Sequence, residues 1–378
     1  MDAATTELLD LLVTAFKPGD AELRRIFAHD LVGDPGCPPD HRVVLREGDR
    51  PVAALLIFRR VLLLGQVAVP TACIGAVASA PDRRGSGLGG RLMDAAHQRC
   101  LELGLPWAFL LGIDHFYHRR GYRPCLAEDR VSVPLDHLPA VVELSVAERA
   151  AAEPATATDA LELIALGAAA LAGGAWLRER SPETFAAQLA RAGLTWSDIT
   201  VLRRAGRIDA YFLRRGDQLW EAGARDAAAA AWVWSTAGAA LRHEQPTAAT
   251  LALIAGSGHP CRRVLSGSPH RSHLSYQAHG GALGLVLDAP AFVNAVLPEL
   301  AARAAACGAD GVTVEIAGRR YTSGGARPWS VDCPDAGTFL TAMSGVTPVG
   351  NLPVAGDPVQ LAALFPVRGN GFTRLENF

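Results

Sequence analysis

Residues 74–89 read Ile-Gly-Ala-Val-Ala-Ser-Ala-Pro-Asp-Arg-Arg-Gly-Ser-Gly-Leu-Gly, an apolar run that passes through Arg83, Arg84, Gly85, Gly87 and Gly89 into a helical pattern. A helix that starts there leaves backbone N–H groups without intrahelical acceptors, and its aligned peptide dipoles favour an anion at that end. The glycines let main chain approach a diphosphate without Cβ atoms in the way. The segment lacks the Lys-Ser/Thr ending of a nucleotide P-loop, and its spacing differs from a dinucleotide fingerprint. A purely structural Gly/Arg turn is the competing reading. A second group of chemically capable residues follows at 114–124, Asp-His-Phe-Tyr-His-Arg-Arg-Gly-Tyr-Arg-Pro, where Asp114, His115 and His118 flank Tyr117.

The elements that must position these groups follow from periodicity. Residues 7–16 and 20–29 are short amphipathic helical patterns separated by Pro18-Gly19. Residues 41–47 and 51–58 read as strands joined at Gly48-Asp49, and the runs 60–67 and 72–79 extend the meander. Leu88, Leu92, Ala95, Ala96 and Arg99 fit a helix lasting to Gly104, and 107–111 is a short buried strand. Residues 131–134 are expected to close this first sheet, so the first domain spans 1–136. The order of elements predicts an α/β (α+β) domain with a mixed sheet, not regular βαβ units.

A related order recurs later, with a helix at 182–193, a hairpin at 199–214 and a strand at 251–254. Gly256-Ser257-Gly258-His259-Pro260 is only a turn, so a second domain over 150–280 is expected to be a copy without a cofactor site. Residues 281–378 predict a separate α+β unit, with a strand at 283–287, a long helix at 290–307, a strand at 311–316 and further short elements.

At 378 residues the chain is longer than one core serves, and its 49% apolar content suffices for several. A formal charge of -2 with scattered arginines argues against nucleic acid as partner. The run 52–69 is interrupted by Arg59, Arg60, Gly65 and Gln66, which argues against a membrane span. Seven widely spaced cysteines and an N-terminus without a secretory pattern point to a reducing, cytoplasmic setting. His259, Cys261, His270, His273 and His279 lack the spacing of a metal scaffold, so no metal is expected; Arg262, Arg263 and Arg271 read as surface or interdomain charges.

The loop resembles the Arg/Gln-x-x-Gly-x-Gly/Ala signature of the GNAT superfamily of N-acetyltransferases, through Arg84, Gly87 and Gly89 with Arg83 beside it. Residues 116–124 resemble the family's Phe-Tyr-x-Arg-x-Gly-Phe/Tyr segment. The whole chain is similar to the Eis-like branch, in which tandem GNAT-like mixed-sheet domains precede a sterol-carrier-protein-like α+β domain. The likeness is carried at the C-terminus by 312–321 and by Leu364-Phe365-Pro366. It implies acetyl-CoA as acyl-donor cosubstrate and a primary amine, in a small molecule or a lysine-containing peptide, as acceptor. A homo-oligomer is allowed.

The same resemblance implies the site. Val77 and Ser79 would hold the pantetheine arm through backbone groups, and Arg83, Arg84, Gly85, Ser86, Gly87 and Gly89 would hold the diphosphate. Tyr117 would be the general acid that protonates the departing sulfur, with Tyr122 as packing. The carboxylate of Phe378 would accept the amine proton. Asp114, His115 and His118 are alternative bases, and Glu128 and Asp129 could make the amine pocket negative. Two other readings stand beside this one: a non-catalytic acyl-CoA-binding or protein-interaction scaffold, and a lipid carrier in residues 281–378.

Overall fold

The computed structural model describes residues 1–113, 115–138, 152–172, 174, 176–256, 258–275 and 281–367. The chain forms two compact units, one built from 1–125 and 277–367, the other from 126–276.

In the first unit, helix α1 (Ala3–Phe16) begins at Asp2, whose carboxylate accepts from the Thr5 amide at 2.8 Å. Helix α2 (Ala21–Val32) begins at Asp20, which accepts from the Leu23 amide at 2.9 Å. Such caps satisfy donors that the helix itself cannot. Strands β1 (Arg42–Glu47), β2 (Arg50–Leu64) and β3 (Val67–Ser79) form the antiparallel meander. The two runs expected at 51–58 and 60–67 are one continuous strand up to Leu64. Arg59 is exposed, and Arg60 is buried but paired with the buried Asp34 at 2.5 Å, so neither arginine breaks it. Helix α3 (Leu88–Glu102) and strand β4 (Trp107–Gly112) follow, with β4 parallel to β3. Leu88, Leu92, Met93, Ala96 and Cys100 turn inward from α3 onto Leu55, Ile57, Ile74 and Leu110.

The strand that completes this sheet is not the one the sequence suggests. Glu128–Pro134 lies in the second unit, between Thr250–Ile254 and Arg271–Ser275, antiparallel to both. Its place beside β4 is taken by Gly281–Val286, which pairs antiparallel with β4 from Gly281↔Gly112 to Val286↔Trp107, and also pairs β5 (Arg123–Pro124). Alternating apolar residues suit 131–134 to either sheet, and only the pairing decides.

The rest of the first unit is a three-stranded sheet, ordered Arg319–Thr322, Val312–Ile316, Trp329–Cys333, with helices Ala289–Ala306, Ala336–Ser344 and Pro358–Leu364. The space among these elements and β4 is filled by aromatic rings. Trp107 meets Phe292 at 5.7 Å between centroids, Phe292 meets Phe339 at 6.4 Å, and Phe339 meets Phe365 at 6.3 Å.

The second unit carries a sheet ordered Arg271–Ser275, Glu128–Pro134, Thr250–Ile254, Gln218–Ala224, Arg207–Arg215, Ile199–Arg204, Ala152–Pro154. Its meander 199–224 runs into the helix Ala227–Glu244 and then a strand parallel to Gln218–Ala224, the same order as β1, β2, β3, α3, β4. That helix falls in an Ala-rich stretch that the sequence reading passed over. Six of the seven cysteines are buried, and Cys307 is exposed. Among the described residues no helix is long and apolar enough to cross a membrane, and none of the His, Cys, Asp and Glu side chains gather into a metal-binding group.

Candidate active site

Strands β3 and β4 pair only over Ala72↔Ala108, Cys73↔Phe109 and Ile74↔Leu110. Beyond Ile74 the two strands are no longer paired, while β4 keeps its other partner, Gly281–Val286, out to Gly112. On β3 the end of this pairing coincides with a bulge: the register with β2 shifts between Ala54 and Leu56, and Ala76 sits at φ 52°, in the left-handed region. A bulge turns the strand and leaves a residue outside the ladder. Val77 and Ser79, both half-buried, therefore lie on the stretch of β3 that has left β4.

The chain then turns through the short helix Pro81–Arg83 and enters α3 from Gly87. Gly85 and Gly87 have φ 81° and 79°, a conformation costly for any L side chain. Gly89 serves a different purpose, since a Cβ there would stand 3.2 Å from the Phe116 ring. Among the described residues no protein acceptor takes the amides of Gly85, Gly87, Leu88 and Gly89, which are the donors expected at a helix start. The Ser86 amide instead makes a long 3.4 Å turn bond to the Arg83 carbonyl, to which its hydroxyl also donates at 2.6 Å. The two arginines are engaged: Arg83 donates to Glu47 at 2.9 Å, and Arg84 to the Ala15 carbonyl at 2.6 Å.

Tyr117 stands where β4 ends and α3 begins. A Cβ on Gly112 would come within 2.7 Å of its ring, and the Phe116 ring that touches Gly89 meets it edge-on at 4.8 Å. The ring is buried, which pushes the phenol up to about 12, and no group among the described residues bonds its hydroxyl. Tyr122 differs: it is fully buried, and its hydroxyl lies 3.0 Å from His97 Nε2. Burial lowers His97 from its ordinary value, so that pair is a neutral structural contact, in line with the packing role expected for Tyr122.

Other sequence candidates fall elsewhere. Phe378 and Asp114 lie outside the described residues. His115 is exposed in the left-handed region, φ 62°, with its ring 5.7 Å from that of His118. Glu128 and Asp129 sit in the second unit's sheet, where Asp129 pairs with Arg262 at 2.5 Å and Glu128 with Arg130 at 3.2 Å.

The second unit repeats this chain order with a different local arrangement. Its strands Gln218–Ala224 and Thr250–Ile254 pair only at Gln218↔Ala252 and Leu219↔Leu253 and then part. Into the gap goes His259, fully buried, with Nε2 3.1 Å from the Ala222 carbonyl and Nδ1 accepting from the Cys261 amide at 3.1 Å. At the start of Ala227–Glu244 the Asp226 carboxylate takes the Ala229 amide at 2.7 Å, placing negative charge where α3 offers open amides. Sequence reading named His259 only within a loose polar group; no spacing rule marks a side chain that fills a gap between strands.

Both His259 ring nitrogens are committed to the neutral tautomer, and burial, with Arg263 opposing and Glu221 favouring charge, lowers it to about 4. A depressed histidine contributes stability that is complete above its unfolded value near 6.5 and lost as pH falls towards 4. The loss should reach about 3 kcal/mol across that interval. Urea unfolding of wild type and His259→Gln at pH 7 and pH 4.5 checks it: the variant should be less stable at pH 7 and should lose less on acidification.

The glycines give a second expectation. Gly87→Ala should weaken binding of acetyl-CoA, the cosubstrate that the resemblance implies, about tenfold, the effect of about 1.4 kcal/mol of left-handed strain relieved by turning an amide away. Gly19→Ala, at φ 78° between α1 and α2, should carry a similar strain without that loss, as calorimetric titration would show.

Residues 2–125 match the family model described as Acetyltransferase (GNAT) domain. The fold is similar to a GCN5-related N-acetyltransferase from Kribbella flavida, with 21% identity, a TM-score of 0.68, and coverage of 99% of this chain and 95% of that one. It is also similar to a GCN5-related N-acetyltransferase from Anabaena variabilis, with 14% identity, a TM-score of 0.65, and coverage of 98% and 96%. Eis1 from Mycobacterium abscessus shares 12% identity at a TM-score of 0.62, with 100% and 98% of the two chains covered. No curated protein matches in sequence. Residues 2–125 thus match a GNAT acetyltransferase domain, and this match, with the shared fold, supports acetyl-CoA-dependent acetyl transfer as the activity.

Proposed function

We propose that the chain moves an acetyl group from acetyl-CoA to a primary amine of a small molecule or a lysine-containing substrate. One observation carries the reading: four open amides at the start of α3, the parting of β3 from β4, and an unpartnered Tyr117 hydroxyl converge on one place. The amides of Gly85, Gly87, Leu88 and Gly89 take the diphosphate, with Arg83 and Arg84 adding charge. Val77 and Ser79 offer backbone groups to the pantetheine arm.

In the reaction the amine nitrogen attacks the thioester carbon, a C–N bond forms and the C–S bond breaks. Holding the two reactants in line supplies much of the acceleration. Tyr117 hydrogen-bonds the departing sulfur and provides its proton, and the amine gives up a proton to a base. The Phe378 carboxylate is assigned that base, reached directly or through water. Because a phenol at about 12 is reluctant to stay ionised, the tyrosinate takes back a proton within the same turnover, in net the one that the amine gave to the base, so both groups return to their starting states.

The Eis-like organisation is part of this reading: a coenzyme-binding domain over 1–125 completed by Gly281–Val286, a second GNAT-like domain over 126–276 whose site is closed by His259 and Asp226, and a sterol-carrier-like fold in the remainder of 281–378. The test follows thiol release from acetyl-CoA over a panel of polyamines, aminoglycosides and lysine peptides. Amine-dependent release by at least one class is expected. Coenzyme binding with no release across the panel would favour a non-catalytic scaffold instead.

A further inference from the structure

The cations beside the notch are not idle. Arg83 turns Nε and Nη2 onto one oxygen of Glu47, both at 2.9 Å. Its Nη1 lies 3.8 Å from Asp82, and Asp82 takes both ends of Arg50 at 2.8 and 2.9 Å. Arg50 and Glu47 face each other across the β1–β2 turn. The four side chains therefore form a chain of alternating charge, Glu47–Arg83–Asp82–Arg50, with Asp82 and Arg83 on the loop whose amides are proposed to take a dianion. All four are partly exposed, so each pair is held weakly and can be exchanged for a stronger partner.

We propose that Glu47 is an internal competitor of the coenzyme: it holds Arg83 away from the diphosphate and thereby sets acetyl-CoA affinity and its dependence on salt. The inference rests on the reading of the notch given above. A phosphate oxygen that takes the Nε/Nη2 edge of Arg83 must displace Glu47, and the carboxylate left behind repels the ligand until it is screened. Removing that charge while keeping the side chain's shape therefore strengthens binding. The gain comes from surface charges, so it is modest and fades with salt.

Calorimetric titration of acetyl-CoA into wild type, Glu47→Gln, Arg83→Gln and the double variant, at about 20 mM and about 500 mM salt, tests this. Glu47→Gln should bind about three- to tenfold more tightly at low salt and within about twofold of wild type at high salt. Arg83→Gln should bind more weakly, and in that background Glu47→Gln should change affinity less than about twofold. Unchanged or weaker binding by Glu47→Gln would overturn the role of Glu47, meaning that the pair instead orients Arg83 or is inert. A gain of equal size with and without Arg83 would also overturn it. Failure of all four proteins to bind would bring down the reading of the notch together with this inference, a result easily told from the others.

Discussion

Tyr117→Phe should lower kcat by about a hundredfold, within the range for removal of a general acid, and leave the acetyl-CoA dissociation constant within about twofold. The ring is what packs: it meets Phe116 and Tyr122 edge-on and touches the end of β4. The phenylalanine keeps these contacts, so stability should change little. Only the hydroxyl is lost, and among the described residues that hydroxyl bonds nothing in the protein. Since burial raises its pKa to about 12, it remains protonated throughout the range in which an amine is assayed. The pH profile of wild type should accordingly rise as the acceptor amine deprotonates, without a falling limb below about pH 10 from loss of the acid. A steep fall at pH 8 to 9 that vanishes in Tyr117→Phe would show the tyrosine titrating there and contradict the placement.

The largest effect on stability is expected at Glu299→Leu. Glu299 and Arg303 are buried one turn apart on Ala289–Ala306 and pair at 2.8 Å. Burial lowers Arg303 below its ordinary value, with Glu299 acting to restore it. Glu299 also accepts from the Gln66 amide at 3.3 Å, in the turn between β2 and β3, and Arg303 donates to the Leu364 carbonyl at 2.5 Å. The pair thus ties the C-terminal helices to the first meander. Removing the carboxylate strands a guanidinium away from water, at a cost of about 3 to 5 kcal/mol. Glu299→Leu with Arg303→Met should recover much of the loss, because two apolar side chains replace both charges. Urea melts of the three proteins decide it.

Much of the N-terminal domain was legible because its signals are local. The Pro18-Gly19 break, the Gly48-Asp49 turn and the change of period at Leu88 each act within a few residues, and the observed α3 and β4 follow, whereas the turn at Gly65 fell inside a run read as strand. The loop glycines were legible as a group, but not their separate duties. Gly85 and Gly87 answer to backbone angle, whereas Gly89 answers to a ring arriving from residue 116. The partners of Arg83 and Arg84 come from residues 47 and 15, and no pattern along the chain announces them. Strand exchange was illegible for the same reason. Residues 131–134 and 283–286 are interchangeable as apolar segments, and their destinations depend on pairings with residues more than a hundred positions away. The helix Ala227–Glu244 is another matter: its alanines have the highest helical propensity, and Asp226, not the turn at 256–260, marks its start.

Because Gly281–Val286 seals the flank of β4, the first sheet is finished only when residue 286 has left the ribosome. Until then β4 carries a bare row of peptide groups, an invitation to pair with other chains during synthesis. A gene fragment ending at residue 136 should for that reason yield insoluble product, whereas a permuted gene that supplies 281–286 directly after residue 125 gives the nascent sheet its missing neighbour early.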